Sequence, residues 1–208
     1  MKELSSHTAV LTTAAVAGFA PSLAQAHLVA TGMGPIYDGI SHFCLSPEDF
    51  LPVIALGLFA SLRGPRHARV ALAVLTLAWL IGGIVVLSGL VLPAVTLSVG
   101  TTLLFLSIGG LLVANSELPL LPCAVAALAL GLVRGAADLT DVTPSPVQAL
   151  ALLGMSASVF VVFALTASVT LRPRRLWMIV AARVGGSWLA ALGLLLAGWI
   201  MRYGALAL

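Results

Sequence analysis

The sequence predicts an all-α integral membrane bundle of about six transmembrane helices. Of its 208 residues, 61% are hydrophobic and only 8% are charged, whereas a soluble domain carries about 25% charged residues. The chain therefore has too little polar surface to face water on all sides. A membrane span takes about 20 residues, so this length gives six or seven helices in a single domain. The sequence lacks the alternating strands typical of a membrane barrel.

The N-terminal segment, residues 1–26, is typical of a secretory signal peptide. An apolar run covers residues 9–20, and Ala24-Gln25-Ala26 is an A-x-A cleavage site. Cleavage after Ala26 would leave a single transmembrane domain, residues 27–208, with its new N-terminus outside the cytoplasm. The alternative is an uncleaved first span.

The first helix of the mature chain is expected to start at Ser46-Pro47. Serine is a good N-cap, proline suits the first helical position, and Asp49 completes an S-x-x-D box. This helix ends near Leu62, which is short for a span. A short re-entrant or interfacial helix over residues 37–44 is therefore expected before it. Later spans are predicted at about 70–92, 93–115, 118–137, 146–171 and 176–201.

Charge sets the predicted orientation. Basic loops at residues 63–69 and 172–175 fall on one side, and basic loops favour the cytoplasm. The acidic loop 138–141 then lies outside, together with the predicted mature N-terminus. The cleavage site and the charge distribution therefore predict the same topology.

The ligand-type residues concentrate between residues 27 and 62. An ionisable residue within the membrane is by default a hypothesis for a functional site. A free N-terminal His27 would offer an amine and an imidazole nitrogen. Asp38 and His42 are four residues apart and share one face of a helix. Imidazole with carboxylate suits nickel, zinc, copper or iron without selecting one. The predicted metal-site residues are His27, Asp38, His42, Glu48 and Asp49.

Four of these residues, and Cys44, also have a plainer interpretation. Glu48 and Asp49 could serve only the start of the helix, where the dipole favours negative charge. Asp38 and His42 could be a polar pair in contact with water, and Cys44 could simply pack. These alternatives stay open at the level of the sequence.

A second polar group lies near the end of the fourth span. Arg134 and Asp138 are four residues apart, and an internal ion pair between them is favoured over a role as metal ligands. Asp141 is expected in solvent. Glycines inside the spans are expected to let helices pack closely. Cys44 and Cys123 could form a disulfide only if both lie near the outer face.

Several function classes are disfavoured by the same sequence. It carries no G-x-S-x-G, no P-loop and no H-E-x-x-H, so no enzyme of these types is expected. The net charge of +3 is too small to indicate nucleic-acid binding. A haem-binding electron-transfer subunit would need paired histidines within spans, and the histidines of the predicted mature chain are not central to any span.

The motifs resemble those of the HupE/UreJ family, small bacterial membrane proteins found beside hydrogenase and urease systems. Gly39 and His42 match its G-x-x-H element, and an acidic helix start follows. At the family's G-x-D-H element this chain has Glu48-Asp49, so one imidazole is missing. Where the family tends to carry H-G-x-x-N, this chain has Arg134-Gly135-Ala136-Ala137-Asp138.

The resemblance implies a permease for a divalent transition metal, nickel or cobalt, in the bacterial inner membrane with a periplasmic N-terminus. The alternative that it implies is a non-transporting accessory protein that assists maturation of a metalloenzyme. The expected partners are the lipid bilayer, the metal ion and metalloenzyme accessory proteins. The ion would be transported or sensed, with no permanently bound cofactor and no enzymatic activity.

Overall fold

The described residues form seven helices. The computed structural model describes residues 32–90, 92–115, 118–140, 142–171 and 176–204, so the predicted signal peptide and His27 lie outside it. The helices are α1 (Pro35–Leu45), α2 (Pro47–Ser61), α3 (Pro65–Leu87), α4 (Ala94–Ala114), α5 (Leu120–Ala137), α6 (Pro146–Thr170) and α7 (Leu176–Tyr203). No strand occurs in these ranges, and the predicted all-α membrane bundle is confirmed.

Five helices, α3 to α7, are long and apolar enough to cross a membrane. A sixth candidate is the pair α1 and α2, which meet at a bend of 73°. The predicted number of about six spans therefore agrees with the structure.

The bend between α1 and α2 lies at Ser46. The N–H of Ser46 donates to the carbonyl oxygen of His42, and the carbonyl oxygen of Ser46 accepts from the N–H of Asp49, each at 3.0 Å. Ser46 is extended, with φ −91° and ψ 100°. Proline disfavours the helical conformation in the residue before it, so Pro47 ends one helix and starts the next. The predicted short helix and helix start are both present.

The second predicted span is displaced toward the N-terminus. Helix α3 starts at Pro65 and ends at Leu87, so the prediction of a basic loop over residues 63–69 is wrong for most of its length. Gly64 has φ 112°, a conformation that glycine adopts readily, and Pro65 then occupies a favoured first helical position. Gly89, with φ 95°, follows the other end.

Helix α2 lies at the centre of the bundle. It packs against each of the other six described helices. Val53 and Leu56 are fully buried along it, and Phe59 is almost so. Residues on α2 can therefore contact several other helices. This allows a site to form from residues that are far apart in the sequence.

Glycines allow close approach in two other helix pairs. A Cβ on Gly131 of α5 would lie 2.6 Å from the carbonyl oxygen of Leu75 on α3, and a Cβ on Gly186 of α7 would lie 2.6 Å from the Cβ of Leu112 on α4. The predicted packing role is confirmed for these glycines. It is wrong for Gly110 and Gly185, where nothing lies within 4 Å.

The two cysteines are free and do not pair. Cys44 lies in the last turn of α1 and is exposed, whereas Cys123 lies in the first turn of α5 and is buried. The C-terminal end of α5 faces the start of α2, so Cys123 lies at the far end of α5 from that point.

Candidate metal centre

Arg134 is the centre of a buried polar cluster. It lies in the last turn of α5 and is only 5% exposed. Its Nε donates to Oδ1 of Asp49 at 2.6 Å, and its Nη2 donates to Oδ1 of Asp138 at 3.2 Å. Its Nη1 donates to Oγ1 of Thr101 on α4 at 3.4 Å. One guanidinium therefore joins three helices at one end of the bundle.

Asp49 reaches this cluster from the first turn of α2, and its side chain is fully buried. The predicted S-x-x-D box does not form, because the Ser46 side chain makes no capping hydrogen bond. The carboxylate pairs instead with Arg134, 85 residues away in sequence. A buried carboxylate needs a compensating charge, and the guanidinium of Arg134 supplies it.

Asp138 follows the end of α5, and its side chain is 2% exposed. Its N–H donates to the carbonyl oxygen of Arg134 at 3.1 Å, which holds it one helical turn beyond the arginine. The predicted ion pair between Arg134 and Asp138 is confirmed.

His42 approaches from α1, with its Nε2 4.0 Å from Oδ1 of Asp138 and its side chain 17% exposed. Two contacts fix the position of α1. A Cβ on Gly39 would overlap the carbonyl oxygen of Ala151 on α6, so only glycine permits this approach. Next to His42, the ring of Phe43 packs edge-on against that of Trp79, with centroids 5.9 Å apart.

His42, Asp49 and Asp138 together form a candidate metal centre. Each offers one ligand atom, and these atoms lie within 4.8 Å of one another. The Oδ2 atoms of both aspartates are buried and have no hydrogen-bond partner among the described residues. Imidazole and carboxylate are ligands for divalent transition metals. Arg134 is the only permanent cation of this cluster, and it contacts both carboxyl groups.

The sequence comparison adds an identification. A model of the family described as HupE / UreJ protein matches residues 14–196. The chain belongs to the HupE/UreJ family. No curated protein and no solved structure matches the chain.

Two separated sequence segments meet in this cluster. His42 lies in the segment that resembles the family's G-x-x-H element, and Arg134 and Asp138 lie in the segment compared with its H-G-x-x-N element. In this HupE/UreJ protein both elements meet at Asp49. The glycines of the two elements have packing roles, since a Cβ on Gly135 would overlap the backbone of Trp79 just as one on Gly39 would overlap Ala151.

The structure brings two of the five predicted metal-site residues into this group, His42 and Asp49. Glu48 lies at the rim, 61% exposed, with Oε1 3.4 Å from Nη2 of Arg134. Asp38 is half-buried on α1 outside the three-residue group, and His27 is outside the described residues. Metal binding by any of the five residues stays a prediction.

Sequence reasoning assigned Asp138 only to an ion pair and missed it as a ligand candidate. The available signal was that Asp138 stands where the family's H-G-x-x-N element has its asparagine. A residue at that place is expected to lie beside the same parts of the fold as the asparagine does in relatives, even though its side chain differs.

Proposed function

We propose that this HupE/UreJ chain is a bacterial inner-membrane permease for a divalent transition metal, with nickel or cobalt as the substrate. His42, Asp49 and Asp138 would capture the ion at the periplasmic end of the bundle. The observation that carries this proposal is the pair of buried aspartates with unpaired Oδ2 atoms beside an imidazole. Unpaired buried carboxylate oxygens are costly, and a bound divalent cation would compensate them.

Polar groups deeper in the bundle support passage beyond the capture point. The hydroxyls of Ser61 on α2 and Ser156 on α6 are buried and have no hydrogen-bond partner among the described residues. Helices α2 and α6 pack against each other. The serine hydroxyls of these two helices would offer oxygen ligands to an ion that has left the aspartates.

The bundle around the metal centre is otherwise closed by large apolar side chains. Phe43, Trp79 and Leu139 are fully buried next to residues of the cluster. Transport would therefore require a rearrangement of α1 against α2 and α3, the helices that the Phe43 ring joins through Phe50 and Trp79.

Uptake of radioactive nickel or cobalt by cells expressing the full chain tests the proposal. His42→Ala removes the imidazole without removing a partner of Arg134, and it is expected to abolish uptake above the vector background. His67→Ala is the matched control, because His67 lies in the first turn of α3, outside the candidate metal centre. Uptake that is equal in wild type and His42→Ala would refute capture at this site.

A second candidate function is that of a non-transporting accessory protein for a metalloenzyme. The pairing of Arg134 with both aspartates favours it, because a guanidinium already occupies one oxygen of each carboxylate. An accessory protein would retain a stoichiometric protein partner on purification and would give no metal accumulation. A permease would show the opposite pattern.

A further inference from the structure

Arg134 and a metal ion would use the same two carboxylates. Its Nε and Nη2 already contact Oδ1 of Asp49 and Oδ1 of Asp138, at 2.6 and 3.2 Å. Carboxylate oxygens bind zinc-like ions at about 2.0–2.2 Å. A divalent ion on these aspartates would therefore lie within a few ångströms of the guanidinium, where like charges repel strongly because little water screens them.

Besides the two aspartates, the guanidinium contacts Glu48 at the rim and the buried hydroxyl of Thr101. Nη2 is 3.4 Å from Oε1 of Glu48, whose side chain is 61% exposed. Nη1 is 3.4 Å from Oγ1 of Thr101. These contacts are longer than the bond to Asp49, and the carboxylate of Glu48 has open space around it. An arginine released from the aspartates would therefore still have an anionic partner near the surface.

We propose that Arg134 is a tethered cation that competes with the metal for Asp49 and Asp138 and pairs with Glu48 when the metal is bound. The site would then exchange an internal positive charge for the incoming ion, so that the buried carboxylates are never left without a cation. This inference rests on the proposed metal site. It adds that Arg134 lowers the affinity of that site for the metal. The ion would be released when Arg134 pairs again with the two aspartates.

The first test is Co²⁺ binding to the purified full chain in lipid nanodiscs. Binding is measured by calorimetry and by the visible absorption of the Co²⁺ ion. Arg134→Gln removes the competing charge and is expected to bind Co²⁺ at least tenfold more tightly than wild type. Arg63→Gln is the matched control, because Arg63 lies between α2 and α3, away from this cluster, and donates to the carbonyl oxygen of Phe59. Its dissociation constant is expected to equal that of wild type.

The second test keeps Arg134 in place, so it does not depend on the folding of Arg134→Gln. The Nε–H of Arg134 makes a short charge-assisted bond, which gives a distinctive resonance in the spectrum of a chain with ¹⁵N-labelled arginine. Saturating wild type with diamagnetic Zn²⁺ is expected to shift this resonance as the bond to Asp49 breaks. The same addition to His42→Ala is expected to leave it in place.

The outcomes separate the two proposals. Equal or weaker Co²⁺ binding by Arg134→Gln, or an unmoved Nε–H resonance in Zn²⁺-saturated wild type, would overturn the exchange while leaving the metal site intact. Absence of metal binding in both wild type and Arg134→Gln would overturn the metal site and the exchange with it. If Arg134→Gln is not recovered folded, the resonance measurement decides.

Discussion

The pairing of Asp49 with Arg134 is expected to be the largest single electrostatic contribution to the stability of the bundle. The perturbation is a double-mutant cycle with Asp49→Asn, Arg134→Gln and the double variant, measured without metal. Such a cycle isolates the energy of the pair from the other consequences of each change. Both side chains are nearly or fully buried, at 0% and 5% exposure.

The magnitude follows from the geometry. An Nε–Oδ1 distance of 2.6 Å places the centres of the two charges about 4 Å apart, where attraction is about 4 kcal/mol at an effective dielectric constant near 20. Asparagine still accepts a neutral hydrogen bond of about 1 kcal/mol. The coupling energy is therefore expected to be about 3 kcal/mol.

Glu48 provides the matched control, because it is the neighbouring carboxylate and also contacts Arg134. Its side chain is 61% exposed and its contact is longer, at 3.4 Å. The cycle of Glu48→Gln with Arg134→Gln is expected to give less than about 1 kcal/mol, as for other exposed pairs. The assay is reversible unfolding by SDS in mixed micelles. A coupling below about 1 kcal/mol for Asp49, or equal couplings for Asp49 and Glu48, would refute the reasoning.

Three further predictions concern packing and orientation. Gly186→Ala is expected to destabilise the protein by about 1–3 kcal/mol in SDS unfolding, because its Cβ would lie 2.6 Å from that of Leu112; the adjacent Gly185→Ala, with open space around it, should be neutral or slightly stabilising, and equal effects would contradict this packing. Phe43→Ala should cost about 3–5 kcal/mol in the same assay, because the ring is fully buried; a loss below about 1 kcal/mol would show that the ring is not packed in the membrane. In intact spheroplasts, an impermeant maleimide should label the exposed Cys44 and leave the buried cysteine of α5 unlabelled; labelling of Cys44 only after the membrane is opened would reverse the predicted orientation.

Most of the fold was predictable because the properties that determine it are local. A span requires an apolar run of sufficient length, and proline and glycine mark its ends, as Ser46-Pro47 does between α1 and α2. Where the prediction was wrong, at α3, the same local rule applied. The Gly64-Pro65 step was assigned to a loop on the strength of its basic neighbours, but its proline starts a helix that includes them.

The sequence by itself determined the membrane bundle and the pair of Arg134 and Asp138, whose spacing of four residues brings them together on any helix. It could not decide what Asp49 does, because a carboxylate in the first turn of a helix is equally consistent with a cap and with a buried ion pair. The tertiary structure decided this. Helix α2 lies at the centre of the bundle, so its first turn faces the end of α5 instead of water, and a buried Asp49 requires a charged partner from 85 residues away. Local patterns contain no information about contacts at that separation.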